Sequence, residues 1–185
     1  TPIRLSLPAP EKTTFGPGSA LSPDGRSLAF VAVREGKQQL WLRLFSGFEA
    51  RPLPGTDGAV NPFWSPDNRF VGFFADAKLK TIEVSSGAVK SLCDLTAVEV
   101  FSAGSWNREG VIIFSPDAHS PVYRVSATGG VPTQVTELGK AQEGAHIWPE
   151  FLPDGRHFVF WVLGGDKDGI AVSSLDSKEK KLLIP

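Results

Sequence analysis

Asp24, Asp67 and Asp154 each follow a Ser-Pro or Leu-Pro step, and three carboxylates at one recurring position invite a metal or acid–base reading. Paired-carboxylate chemistry needs the two groups within several ångströms of each other. These lie more than forty residues apart, one structural unit from the next, so the spacing points to turn formation: an Asp in such a turn accepts backbone amides two residues on. His119, His146 and His157 are the only histidines, and none stands in a metal-ligand spacing. Cys93 is the single cysteine, with no base or cationic cluster beside it in the chain, so it reads as a packing residue. The sequence holds no G-x-S-x-G elbow, phosphate loop or dinucleotide fingerprint. On these residues the chain is expected not to be an enzyme by itself and to carry no metal or cofactor.

The elements that hold these residues repeat. ALSPDGRSLAFVAV from Ala20, FWSPDNRFVGFFAD from Phe63, SWNREGVIIFSPD from Ser105 and EFLPDGRHFVFWVL from Glu150 align, with Ser22 recurring as Ser65, Asn107 and Leu152 at steps of 43, 42 and 45 residues. A period of about 40 to 50 residues matches a four-stranded propeller blade. In each unit a short apolar strand enters the turn, where Pro presets φ and Gly or Asn accepts a left-handed conformation. A strand apolar on nearly every residue follows (27–33, 70–75, 111–114, 157–163), as expected when both faces of a sheet are covered. The third strand alternates (39–44, 79–84, 122–125, 170–175) and the outer one is of mixed polarity, with Pro52 and Pro132 at a sheet edge where proline is tolerated. Ser115-Pro-Asp117 follows a strand and reads as the next hairpin turn. Trp64, Trp106 and Trp148 recur at steps of 42 and 42 and read as blade-to-blade packing on successive inner strands. The expected fold is an all-β β-propeller of four four-stranded blades, with a closure segment at 1–17 and blades at 18–58, 59–97, 98–139 and 140–185.

These motifs resemble the WD40-like repeat of the TolB type over residues 18–185. GSALSPDGRSLAFVA, ARPLPGT, PFWSPDNRFVGFFA and FLPDGRHFVF are similar to a bacterial subgroup in which such propellers are fused, after a membrane span, to serine/threonine kinase domains. The resemblance implies an extracytoplasmic sensing or accessory module. The third unit departs from the pattern: Trp106-Asn-Arg-Glu-Gly110 lacks the Pro-Asp pair, which implies a looser turn. Asn68 in place of the turn Gly is a mild change.

Four blades leave a closure question, because an open half-circle exposes sheet faces and edges. The chain could be a fragment of a longer propeller, a compact four-bladed ring, or half of an eight-bladed ring formed by a homodimer. Residues 2–7 alternate and could supply the outer strand of the last blade, yet 180–184 offers one already. The chain has no methionine and starts at Thr1, which reads as a processed protein or an excised domain.

Loops before the inner strands should line one mouth of the ring. They offer Asp57, Asn61, Glu99, Gln142, Glu143 and His146 as ligand-binding candidates for a protein or a small molecule. The balance of 19 basic and 20 acidic residues, with a net charge of −1 and both signs interspersed, offers no basic stripe for nucleic acid. No apolar run reaches the roughly 20 residues that span a bilayer, so no membrane contact is expected of this segment. The leading functional expectation is a non-catalytic interaction or sensing module with a protein partner. The alternative is the accessory propeller of a larger hydrolase, lyase or kinase whose catalytic residues lie outside the chain.

Overall fold

The computed structural model describes residues 7–47, 49–99, 101–139, 144–164 and 168–184. These residues form sixteen strands and no helix. The first sheet holds β1 (Thr13–Leu21), β2 (Ser27–Arg34), β3 (Lys37–Leu44) and β4 (Ala50–Pro52). The second holds β5 (Val60–Trp64), β6 (Phe70–Ala75), β7 (Lys78–Glu83) and β8 (Val89–Asp94). The third holds β9 (Ala103–Trp106), β10 (Val111–Ser115), β11 (Tyr123–Ser126) and β12 (Thr133–Gln134). The fourth holds β13 (Ala145–Phe151), β14 (His157–Leu163), β15 (Gly169–Ser174) and β16 (Ser177–Ile184). Every sheet is an antiparallel meander in chain order, so the architecture is that of four propeller blades. The outer strand of the fourth sheet is β16, from its own unit. The alternative donor falls largely on residues 1–6, outside the described residues. Residues 13–17, read from sequence as part of the closure segment, belong to β1.

The turns explain why these sequences make these hairpins. Ser22 Oγ donates to Asp24 Oδ1 at 2.6 Å, while the amides of Arg26 and Ser27 donate to Asp24 Oδ1 and Ser22 Oγ at 3.0 and 2.9 Å. Ser65 and Asp67 repeat this, at 2.6 Å for the hydroxyl and 3.1 Å for the Arg69 amide. Gly25, Asn68, Gly110 and Gly155 occupy the matching left-handed position, with φ from 61° to 76°. The third turn is not loose. Asn107 Oδ1 accepts both the Glu109 amide (3.1 Å) and the Val111 amide (2.8 Å), so one amide side chain replaces the Ser and the Asp together. Ser115 ends β10, and Pro116 and Asp117 lie between β10 and β11, where Asp117 accepts the His119 amide and the Ser120 hydroxyl.

The core lies between the blades. The first and second sheets enclose Val31, Leu40, Leu42, Trp64, Val71 and Phe73; the second and third enclose Phe74, Leu79, Leu92, Ile112 and Phe114. Ile113, Val122, Phe158, Phe160 and Val162 fill the third junction. Innermost strands pack in series, β1 on β5, β5 on β9 and β9 on β13. They approach so closely that the Phe63 ring lies against Gly72 and Gly104, where an added Cβ would come within 2.3 and 2.7 Å of it. Phe30, Ala32 and Trp41 form a fourth cluster on the far face of the first sheet, with Phe15 against Phe30 and the Arg34 guanidinium 4.6 Å over Trp41.

Candidate functional site

Antiparallel meanders divide each blade into two ends. The Ser-Pro-Asp-Gly turns, between the first and second strands, lie at one end. The described parts of the connections leading into the next inner strand (53–59, 95–99 with 101–102, and 135–139) lie at the other, and this second end is the mouth the sequence pointed to.

Asp57 is exposed at its rim, 3.0 Å from Lys37 Nζ, and accepts Gln39 Nε2 at 2.8 Å. Asn61 lies deeper, in β5. Its Nδ2 donates to the Ser102 carbonyl at 2.7 Å, and the Ser102 hydroxyl accepts the Glu99 amide at 2.9 Å. Glu99 is half-buried, and its Oε2 accepts the Ala118 amide at 3.3 Å. Ser102 therefore brings Asn61 and Glu99 together, while Asp57 stays apart. Gln142 and Glu143 lie outside the described residues. His146 is 0% exposed, with Nδ1 paired to Thr136 Oγ1 at 2.8 Å and its ring 4.7 Å from that of Phe160. Its surroundings are those of a core histidine that ties the loop after β12 to β13.

Two aromatic residues at this end are also exposed, Trp148 in β13 and Phe101 in the connection before β9. Trp148 is 52% exposed and Phe101 36%, with ring centroids 6.1 Å apart. Trp148 also has φ 54°, costly for a bulky side chain, on the order of 1–3 kcal/mol. Counting back four residues from Ser22, Ser65 and Leu152 reaches Gly18, Asn61 and Trp148, and all three have positive φ at a bulge in the inner strand. Gly and Asn tolerate that conformation; Trp does not. The regular 42-residue tryptophan spacing was misleading. The last repeat step is 45, so Phe151 takes the inner-strand packing position of Trp64 and Trp106, and Trp148 moves to the bulge. Registering each unit on the turn, not on tryptophan, would have found it.

Glu150 in β13 is exposed as a residue while its carboxyl end meets Ser105; partial loss of water at that end pushes its pKa up, and the Ser105 hydroxyl opposes that shift. At the turn end the aspartates are held low. Asp24 is lowered first by the Ser22 hydroxyl. Asp154 falls to about 2 because His157 Nδ1 lies 2.6 Å away and the Arg156 and His157 amides donate to Oδ1 at 3.0 and 2.9 Å. Burial pushes the Cys93 thiol up, away from a reactive thiolate. Among the described residues no group of three or more His, Cys, Asp or Glu side chains could hold a metal ion. No helix among the described residues is long and apolar enough to cross a membrane.

No family model matches the chain. A protein of Bacillus subtilis, named "Uncharacterized peptidase YuxL", is 32% identical over 148 residues, which is 75% of this chain and 20% of that protein. The chain thus spans about a fifth of the curated relative it matches. Among solved structures, TolB from Acinetobacter baumannii superposes with a TM-score of 0.75 at 18% identity, over 91% of this chain and 43% of TolB. A puromycin-hydrolyzing peptidase of Mycobacterium tuberculosis superposes at 0.64 and 11% identity, over 89% of this chain and 28% of that one. The expectation that the chain is not an enzyme by itself is corrected by the sequence relative, which is named as a peptidase. The chain has the fold of the TolB-type β-propeller, four WD40-like blades in succession.

Proposed function

We propose that these four blades are the propeller portion of a larger hydrolase that acts on peptides, with the loop end facing the catalytic unit. The observation that carries this is the 32% identity, over 148 residues, to a protein named as a peptidase that is about five times longer than the match. The propeller would bind and orient substrate, and the groups that cleave it would belong to the rest of the enzyme. In this reading Asn61 and Glu99, joined through Ser102, shape the loop end, and the Trp148–Phe101 pair offers it an apolar surface. Asp57 sits on the rim.

The test is hydrolysis of chromogenic dipeptide and tripeptide amides by the full-length gene product and by the 185-residue chain. Turnover by the full-length protein alone is expected. Absence of peptide hydrolysis by the full-length protein overturns the reading, and so does turnover by the isolated chain.

A further inference from the structure

A groove of about 500 Å³ opens at the turn end between the second and third blades, opposite the loop end. That volume falls within the range of small-ligand sites. Phe70 and Trp106, stacked with centroids 6.1 Å apart, line it together with Asp67, Asn107 and Arg108.

The groove exists because one lock is missing. At the junction of blades one and two, Asn68 reaches back from its left-handed position and accepts the Asp24 amide at 3.0 Å, while Trp64 Nε1 donates to the Ala20 carbonyl at 2.9 Å. At the junction of blades three and four, Asn107 Nδ2 donates to the Gly155 carbonyl at 2.7 Å. At the middle junction the residue matching Asn68 is Gly110, which has no side chain to reach back to Asp67. No turn-to-turn hydrogen bond spans that junction among the described residues, and Trp106 remains half-buried on Phe70 instead of sealed.

The groups left at the groove have unused capacity. Asp67 uses Oδ1 for the Ser65 hydroxyl and the Arg69 amide, and Oδ2 has no partner among the described residues. The exposed Arg108 has no ion-pair partner among them, and Trp106 Nε1 has no acceptor among them. An aromatic floor, one acceptor, one indole donor and one uncompensated guanidinium fit a peptide. Its backbone N–H and C=O would meet Asp67 and Trp106, an apolar or aromatic side chain would lie on the Phe70–Trp106 floor, and a carboxylate would pair with Arg108. We infer that the groove between the Ser65–Asn68 and Asn107–Gly110 turns is a docking site for an acidic peptide segment carrying an aromatic or large apolar residue. It lies at the opposite end from the proposed substrate-facing loops and does not depend on that reading.

Fluorescence anisotropy with labelled hexapeptides tests this, using one Phe flanked by Asp residues and the same Phe flanked by Lys, with an oligouronate as a non-peptide acid. The acidic peptide is expected to bind, to weaken as salt is raised, and to lose at least tenfold in affinity in Arg108→Glu. Gly110→Asn, which rebuilds the lock of the first junction, should cause a similar loss without lowering the thermal midpoint. Arg108 is exposed, so its variant separates binding from folding should Gly110→Asn destabilise the chain. Peptide binding unchanged in both variants, no binding of the acidic peptide, equal binding of the Lys-flanked peptide, or oligouronate binding in place of peptide each overturns the assignment.

Discussion

Trp64 and Trp106 occupy the same position in successive blades, one residue before the turn, yet they meet different surroundings. Trp64 is 8% exposed, sealed into the first junction with its indole N–H on the Ala20 carbonyl. Trp106 rests half-buried on Phe70, at the edge of an open groove. The contrast traces to Asn68 against Gly110, a single side chain at the left-handed position of the following turn. A repeat position therefore sets where a residue sits, and the neighbouring turn sets how far that site closes.

Truncating the two tryptophans gives the largest expected difference. Trp64→Ala should cost about 3–5 kcal/mol, the range for a buried aromatic. Trp106→Ala should cost on the order of 1–2 kcal/mol, because less of its apolar area leaves water. Urea unfolding measures both, and equal losses would erase the distinction between the junctions.

Asn107 sharpens the comparison on the other side of the groove. Asn107→Ala leaves the Glu109 and Val111 amides and the Gly155 carbonyl without their partner, at a cost of about 1–3 kcal/mol. Asn107→Asp keeps the two accepted amides, loses the bond to Gly155 and sets a carboxylate oxygen against that carbonyl; it should still be the milder variant by the same assay, because the alanine variant orphans all three partners. The reverse order would mean that Asn107 matters as a blade-to-blade lock more than as a turn former.

Smaller effects are expected where one repeat position is filled unequally. Trp148→Asn gives the fourth blade the residue that the second uses at its bulge and should raise stability by up to about 1 kcal/mol through relief of a left-handed tryptophan. A drop in the thermal midpoint would show that the contact with Phe101 outweighs the strain. The fourth turn also has a pH signature. Asp154 titrates at about 2 when folded, against an ordinary value of 3.8. A depressed pKa stabilises above the unfolded value, so this contribution is full above pH 4 and is lost as pH falls toward 2. Asp154→Asn should flatten the acid limb of stability against pH, and an unchanged limb would assign acid sensitivity to other groups.

Much of the fold was legible because turn chemistry is local. Pro, Asp and a left-handed Gly or Asn must lie within five residues to make the hairpin, so the motif and its 42- to 45-residue period reveal the blades directly. The third unit was the exception. Asn107 performs two roles that the pattern divides between Ser and Asp, and only the hydrogen bonds show it. The mouth was less legible. Asn61 and Glu99 converge on Ser102 from different blades, whereas His146, within the inner strand β13, is enclosed by Thr136 and Phe160. Sequence distance to a strand end does not tell which way a side chain faces once a bulge has shifted the register.

By itself the sequence determined an all-β chain of four repeated units, the turns that join their first two strands, and the structural role of the recurring aspartates. These follow from short-range dihedral preferences and period-two burial. The tertiary structure alone decided which equivalent residues seal and which stay open: Trp64 against Trp106, Gly18 and Asn61 against Trp148, and a locked first junction against a grooved second. Each depends on atoms brought together from different blades, where one side chain reaching across a junction changes what its repeat partner can do.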